Sequence, residues 1–192
     1  RSNYSRKSYR RTKTNMKNLK ELVDNAGHIL IIQADNPDGD SLCSALALED
    51  ILGELGKKTT MFCVADIPVY LRYIEGWYRV VNQVPNDFDL SIIVDTSALM
   101  LLEILDKTGQ LKWVKAKPSI VIDHHSTDPT IDFATMYIQP KDVSCTETIY
   151  DLAKKTGWPL SKQSGWYVAA GILSDSLGLT TENVTSKSIK II

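Results

Sequence analysis

The chain has 192 residues, of which 43% are hydrophobic and 23% charged, a composition typical of one soluble globular domain with a sizeable core. No apolar run approaches the roughly 18–20 residues that a membrane span requires, so we expect a cytoplasmic protein with no membrane partner. The three cysteines are few and widely spaced, which indicates free thiols in a reducing compartment and not a disulfide framework or a zinc site.

The net charge of −1 conceals a basic N-terminus. Residues 1–20 carry eight Lys or Arg and no acid, which leaves −9 for the remainder of the chain. Such a segment is typical of a nucleic-acid-binding arm or of part of a transit sequence; we interpret it as a flexible basic tail. Because a regular apolar pattern opens at Met16, we expect residues 1–15 to lie outside the fold and residues 16–192 to form the domain.

Helix and strand patterns alternate along the chain. In chain order they are helix 16–27, strand 28–34, helix 42–55, strand 59–64, strand 90–94, helix 98–108, strand 119–122, strand 131–138, helix 144–156 and helix 162–173. Asp40 or Ser41 is placed to cap the second helix. Residues 66–88 are harder to assign, with a short helix or turn at Ile67-Pro68 and a brief strand at 79–81. The alternation predicts an α/β fold with a mostly parallel five-stranded sheet and helices on both faces.

Three acidic clusters each follow an apolar strand pattern. They are Asn36-Pro37-Asp38-Gly39-Asp40, Asp95-Thr96-Ser97 and Asp123-His124-His125. Because ligands collect at the carboxyl ends of parallel strands, we expect these side chains to converge on one crevice. Asp175 is a fourth candidate, since it follows an apolar helical stretch that is a poor place for a solvated acid. Carboxylates with imidazole suit Mn²⁺ or Mg²⁺, so the pattern predicts divalent metal ions held over a phosphate.

The same clusters carry a family resemblance. Together with Ser44 and the segment Gly171-Ile172-Leu173-Ser174-Asp175, they resemble, in order, the four motifs of the DHH phosphoesterase family. The resemblance covers roughly residues 16–192. It is strongest to the branch containing NrnA-type nanoRNases and phosphatases of 3′-phosphoadenosine 5′-phosphate, whereas RecJ exonucleases and family II pyrophosphatases are more distant.

The resemblance implies two bound Mn²⁺ ions, with Mg²⁺ as the alternative, and a water activated between them for attack on phosphorus. It further implies that His125 contacts the substrate phosphate or helps the leaving group depart, while Asp123 orients the histidine pair. The implied metal ligands are Asp38 and Asp95 for the first ion and Asp40, Asp95, His124 and Asp175 for the second, with Asp95 bridging the two.

Two departures from the family pattern lead to further expectations. The family begins its first motif with a metal-binding histidine four residues before the first aspartate, where this chain has Ala34. We therefore expect a weakened first metal site, which Asp35 could complete only if the chain bends, because adjacent strand residues point to opposite faces. The family also continues into a smaller domain with a substrate-gripping glycine-rich loop, which we expect to be absent here.

The resemblance implies a Mn²⁺-dependent phosphoesterase that hydrolyses short single-stranded RNA or related nucleotide phosphates; a homodimer is left open. A RecJ-like exonuclease or a cyclic-dinucleotide phosphodiesterase would use the same residues. Pyrophosphatase activity is disfavoured, because that branch relies on basic residues of its C-terminal domain. Ala34 also motivates a rival of another class, a catalytically degenerate nucleotide-binding or regulatory module. Survival of the whole second ligand set argues against that rival.

Overall fold

The computed structural model describes residues 16–192, so the prediction for the basic tail at 1–15 lies outside the described residues. In chain order the elements are α1 (Met16–Asn25), β1 (His28–Ile32), α2 (Gly39–Glu54), β2 (Lys58–Phe62), β3 (Leu90–Val94), α3 (Glu103–Lys107), α4 (Leu111–Lys115), β4 (Ser119–Asp123), β5 (Thr135–Ile138), α5 (Cys145–Thr156), α6 (Lys162–Asp175) and α7 (Ser186–Ile191). Short 3₁₀ turns span Val69–Leu71, Trp77–Arg79 and Leu99–Leu102.

The five strands form one sheet in the order β2-β1-β3-β4-β5, and every neighbouring pair is parallel. Ile31 of β1 lies opposite Met61 of β2 and Ile92 of β3, which fixes the register at the centre of the sheet. All residues of the three central strands are buried, as expected of strands covered on both faces. The predicted five-stranded α/β fold is confirmed, and the sheet is wholly parallel.

Alternate residues of the central strands face two separate apolar layers. Ile29 and Ile31 pack into a large core cluster with buried residues of α1, α2, α5 and α6. Leu30 and Ile32 pack into a smaller cluster on the other face, with buried residues of α3 and α4. Helices therefore cover both faces, as predicted. Among the described helices, none is long and apolar enough to cross a membrane.

The start of α2 differs from the prediction. Its N-cap is Asp38, which has an extended backbone and whose Oδ1 accepts a hydrogen bond from the Ser41 backbone N–H at 2.9 Å. The prediction that Asp40 or Ser41 caps this helix is wrong, because the helix begins at Gly39, three residues earlier than the apolar pattern suggests. Asp40 thus lies in the first turn of α2, with its carboxylate free for another partner.

Two further segments are less regular than predicted. The helix expected at 98–108 divides into a 3₁₀ turn and the short helix α3, and the Asp35 carboxylate accepts a hydrogen bond from the Ile104 backbone N–H at this break. The strand expected at 79–81 is reduced to a single bridge between Val81 and Phe62, following a 3₁₀ turn. Both segments lie outside the regular sheet, and each contacts a residue distant in sequence, Asp35 or Phe62.

Candidate metal centre

His124 stands at the centre of a cluster of carboxylates, just past the end of β4. Its Nε2 lies 3.6 Å from Asp95 Oδ1, 3.7 Å from Asp175 Oδ2 and 4.0 Å from Asp40 Oδ2. Ligand atoms about 2.1 Å from one ion stand roughly 3 Å apart when adjacent and about 4 Å apart when opposite. Each of the three carboxylate oxygens therefore stands at a distance from His124 Nε2 that two ligands of one divalent ion can have.

The proton position on His124 also suits metal binding. Its Nδ1 lies 3.3 Å from the backbone carbonyl oxygen of Asp142, which can only accept a hydrogen bond. In the neutral ring the proton then resides on Nδ1, and the lone pair of Nε2 is directed at the carboxylates. Nε2 is buried and has no hydrogen-bond partner among the described residues. A buried nitrogen lone pair facing carboxylates is unfavourable unless a cation lies between them.

Asp95 enters the cluster through an unusual backbone conformation. It follows β3 directly and has a φ of 62°, one of three positive values at non-glycine residues among those described. Aspartate tolerates this left-handed conformation better than most residues do. The backbone N–H of Asp95 donates to the Ile122 carbonyl at 2.9 Å, which ties the turn to β4. Its Oδ1 is buried and has no hydrogen-bond partner in the described part of the chain.

Asp40 is held in place by the first residues of α5. Its Oδ2 accepts a hydrogen bond from the Cys145 backbone N–H at 2.6 Å, and its Oδ1 accepts from the Thr146 N–H at 3.1 Å and the Thr146 hydroxyl at 2.9 Å. The start of a helix is a favourable place for a carboxylate, because its N–H groups lack partners within the helix. Two helices distant in sequence thus meet at one carboxylate of the cluster.

Asp123 forms hydrogen bonds with both histidines. Its Oδ1 accepts hydrogen bonds from the backbone N–H groups of His124 and His125 and, at 2.7 Å, from the His125 ring at Nδ1. Burial raises the pKa of Asp123, but the interactions of His125 and Ser97 together outweigh it, so the pKa is lowered overall. The same hydrogen bond raises the pKa of His125 against the opposing effect of burial. The half-exposed His125 ring therefore keeps its second proton to a higher pH than a free imidazole does.

The carboxylates of the cluster are costly to ionise without a cation. Burial, opposed in part by His124, raises the pKa of Asp40 to about 6. Burial followed by the nearby charges of Asp40 and Asp38 raises the pKa of Asp95 well above its usual range, and burial also raises the pKa of Asp175. A bound divalent cation would reverse these shifts. With oxygen and imidazole donors and no thiolate, the site fits a hard or borderline divalent ion.

Within residues 16–192, two groups of side chains have ligand atoms close enough together to hold a metal ion. One group is Asp40, His124 and Asp175, and the other is Asp95, His124 and His125. The structure thus brings together four of the five predicted metal ligands with His125 and Asp123. Asp38 stands outside both groups, because its exposed side chain caps α2, although its charge acts on Asp95 and Asp175.

Asp35 does not replace the ligand that the first metal site lacks at Ala34. The Asp35 Oδ2 accepts from the Ile104 backbone N–H at 2.8 Å, on the face of the sheet that α3 covers. This carboxylate is therefore engaged in capping and does not join the cluster.

A sequence model of the DHH family, N-terminal domain, matches residues 28–172. The chain belongs to the DHH family. The match covers three of the four motifs entirely and reaches into the fourth, so the resemblance found in the motifs extends through most of the chain.

Several curated proteins that are similar to this chain are named as probable manganese-dependent inorganic pyrophosphatases. The protein of Bacillus licheniformis is 29% identical over 168 residues, which cover 84% of this chain and 52% of the relative. That of Bacillus cereus is 26% identical over 167 residues, with the same coverage of both chains. The chain therefore spans about half the length of the curated relatives it matches.

Solved structures agree with the DHH-family fold. An exopolyphosphatase-related protein from Bacteroides fragilis superposes with a TM-score of 0.82 at 21% identity, covering 92% of this chain and 54% of that one. This likeness supports the fold, and at that identity it supports nothing finer. The exonuclease RecJ bound to manganese overlaps with a TM-score of 0.48 and 17% identity over 83% of this chain and 42% of that one, which is too distant to carry an argument.

Sequence reasoning assigned no role to several residues that build this DHH site. Cys145 and Thr146 hold Asp40, and the Asp142 carbonyl fixes the proton on His124. Backbone groups act in all three cases, so residue type gives little signal. The motif glycine Gly39 is explained by contact, because a Cβ there would lie 2.1 Å from the Ser174 hydroxyl oxygen of α6. That close approach brings Asp175 to the start of α2.

Proposed function

We propose that this DHH domain hydrolyses phosphoesters with the help of bound Mn²⁺. The observation that carries the proposal is the buried Nε2 of His124, which faces Asp40, Asp95 and Asp175 at 3.6–4.0 Å. It has no hydrogen-bond partner among the described residues. The names of the curated relatives, which specify manganese, support the choice of ion. Mg²⁺ is the alternative with the same donor preference.

Bound Mn²⁺ would supply Lewis acidity and positive charge at the phosphate. The residues that would hold it are Asp40, Asp95, His124 and Asp175. The first turn of α5 fixes the orientation of Asp40, and the carbonyl of Asp142 fixes that of His124. No serine or cysteine nucleophile is required in such a site, and the three cysteines are buried thiols with no free access to substrate.

His125 would act on the substrate directly. Asp123 Oδ1 lies 2.7 Å from His125 Nδ1 and raises the pKa of the ring, so the imidazolium form persists to a higher pH than in a free imidazole. The ring is half exposed, which leaves Nε2–H available at the open side of the cluster. From there it can donate a hydrogen bond to a phosphate oxygen and pass a proton to the departing oxygen. Asp123 would be the positioning residue for this step.

The substrate class we propose is a short single-stranded RNA oligonucleotide or a related nucleotide phosphate. The support is the motif resemblance to the nanoRNase branch. Inorganic pyrophosphate is the second candidate, favoured by the names of the curated relatives. Both substrates present a phosphate with a leaving oxygen, so the same residues would serve either. The homodimer stays a prediction.

The number of ions is a separate part of the proposal. With Ala34 in place of the family histidine and Asp35 engaged by Ile104, the first site would depend on Asp38 and Asp95. We propose that this first site is weak and fills when a substrate phosphate completes it. Calorimetric titration with Mn²⁺ should then show one tight ion alone and a second ion in the presence of a nucleoside monophosphate.

The test of function is turnover of the dinucleotide pApA and of pyrophosphate, each assayed with Mn²⁺ and with excess chelator. We expect Mn²⁺-dependent hydrolysis that Asp95→Ala abolishes. Asp128→Ala removes an exposed aspartate outside the cluster and serves as the matched control. Hydrolysis that persists in Asp95→Ala would refute the ligand assignment. Mn²⁺ binding without turnover of either substrate would favour the degenerate nucleotide-binding module.

A further inference from the structure

Lys187, in the first turn of α7, makes contacts with three carboxylates. Its Nζ lies 2.6 Å from Asp142 Oδ1, 3.0 Å from Glu147 Oε1 and 3.0 Å from Asp151 Oδ2. Asp142 and Glu147 are buried, and Lys187 is the cation that the described structure places between them. Buried carboxylates need a counter-charge and hydrogen-bond donors to remain ionised in place. Lys187 is therefore an integral part of how residues 142–147 are held.

The neighbouring contacts close this arrangement. The Ser188 hydroxyl lies 3.2 Å from Glu147 Oε2, and the same oxygen accepts from the Val143 backbone N–H at 2.8 Å. Asp142 Oδ2 accepts from the Thr148 hydroxyl at 2.8 Å. The start of α7 is itself fixed by a capping box. The segment between β5 and α5 is thus attached to α7 through Asp142, and the first turn of α5 is attached to it through Glu147.

This segment is also the support of the metal cluster. The Asp142 carbonyl accepts from His124 Nδ1, and the N–H groups of Cys145 and Thr146 bind the Asp40 carboxylate. His124 and Asp40, two of the four proposed metal ligands, therefore take their orientation from residues 142–146. Lys187 contacts neither ligand, and any effect it has on them must pass through this segment.

We propose that Lys187 is a positioning residue of the metal centre, which holds residues 142–146 so that His124 and Asp40 face one ion. The inference rests on the proposed metal site. Partners that orient metal ligands typically contribute about 10- to 100-fold in metal affinity. Loss of the ammonium group leaves Asp142 and Glu147 as uncompensated buried charges, and the segment relaxes to relieve them.

Long-range electrostatics alone predicts the opposite change in Mn²⁺ affinity on loss of Lys187, so the two explanations can be told apart by measurement. Removing a positive charge near the site would, by Coulomb attraction alone, strengthen the binding of a divalent cation. If Lys187 acts through position, its removal weakens binding instead. Lys190 lies on the same helix and is exposed, so Lys190→Met removes the same charge without touching residues 142–147.

The experiment measures Mn²⁺ affinity of the whole 192-residue chain by calorimetry, with Mn²⁺ as the only ligand. We expect Lys187→Met to weaken Mn²⁺ binding by about 10-fold. Lys190→Met should leave the affinity within about twofold of the unmodified chain, and Lys187→Arg should keep most of the affinity that Lys187→Met loses. Circular dichroism melting shows that each variant is folded at the titration temperature. Should Lys187→Met fail to fold, Ser188→Ala carries the same comparison, because it removes another contact of α7 with Glu147.

A double-mutant cycle tests the route. Asp142→Asn keeps the carbonyl that binds His124 but loses the charge that Lys187 contacts, so the two substitutions together should cost less than the sum of their separate effects. Unchanged or tighter binding in Lys187→Met overturns the inference while the metal site stands. Absence of Mn²⁺ binding in the unmodified chain, or binding that survives His124→Ala, overturns the proposed site and the inference with it.

Discussion

Gly171 of α6 lies against Thr146 of α5 with no room for a side chain. A Cβ at position 171 would come within 2.4 Å of Thr146 Cγ2 and within 2.8 Å of Asp40 Oδ1. The small residue therefore lets α6 approach the point where the start of α5 binds the Asp40 carboxylate. Because α6 also carries Asp175, this single contact sets the separation of two carboxylates of the candidate metal centre.

Gly171→Ala should both destabilise the fold and weaken Mn²⁺ binding. The added methyl group forces α5 and α6 apart, and overpacking of this kind costs about 1–3 kcal/mol. Gly165→Ala is the matched control, because it lies in the same helix and a Cβ there meets no atom within 4 Å. We expect the control to be neutral or stabilising by up to about 1 kcal/mol through helix propensity. Urea denaturation and Mn²⁺ calorimetry of both variants check this; equal behaviour would contradict the packing argument.

Asp35→Ala should reduce stability without affecting Mn²⁺ affinity. The Asp35 carboxylate accepts the Ile104 N–H and so caps the start of α3, a contact worth about 1 kcal/mol. Asp35→Asn retains an acceptor and should keep most of that stability. The measurements are the free energy of unfolding and the Mn²⁺ dissociation constant. If Asp35→Ala weakened metal binding at least tenfold, Asp35 would be acting in place of the family histidine after all.

Mn²⁺ should stabilise the protein more at about pH 7.5 than at about pH 5. The pKa values of Asp40, Asp95 and Asp175 are raised in the fold, to about 6 for Asp40, so the metal-free fold favours their protonated forms. As pH rises from about 4 through these raised values, the metal-free fold loses stability, because the unfolded chain releases its protons first. Mn²⁺ binds the ionised carboxylates, so its benefit grows over the same interval.

Thermal melting with and without Mn²⁺ at the two pH values measures this effect. Asp40→Asn removes one of the titrating groups and should reduce the difference between the two pH values. Asp128→Asn, which alters an exposed carboxylate, should leave it unchanged. An increment in melting temperature that is the same at both pH values would show that these carboxylates do not bind the ion.

Asp123→Asn should lower the pKa of His125. The Asp123 hydrogen bond at 2.7 Å is the main cause of the raised pKa of this ring, and a neutral amide removes the charge that favours imidazolium. Nuclear magnetic resonance of the histidine rings in the metal-free protein measures the shift directly. His28, whose ring contacts Thr60 and Asp87 far along the chain from this site, provides the internal control, and its ring signals should be the same in both proteins. An unaltered His125 pKa would show that Asp123 does not raise the pKa of the proposed proton donor.

Local pattern was sufficient for the architecture of this protein. Helix and strand periodicities alternate clearly, and each strand is short, apolar and bounded by turn residues, so the parallel five-stranded sheet follows from the sequence. The strand ends then place three acidic clusters at one edge. Where the pattern failed, as at 98–108 and 79–81, the backbone obeys a long-range partner such as Asp35 or Phe62 that no local window contains.

The sequence by itself determined the family, the layered fold and the residue types of the candidate metal centre, because these depend on periodicity and on ordered motifs. Only the tertiary structure decided which carboxylates lie close to His124, that the Asp38 side chain caps α2 outside both groups, and that Asp35 faces α3. It alone revealed the support from residues 142–146 and from Lys187. The physical reason is that these contacts use backbone N–H and C=O groups, which are the same in nearly every residue, and ion pairs between distant segments. Which of these groups meet depends on the folded chain and leaves no local sequence pattern.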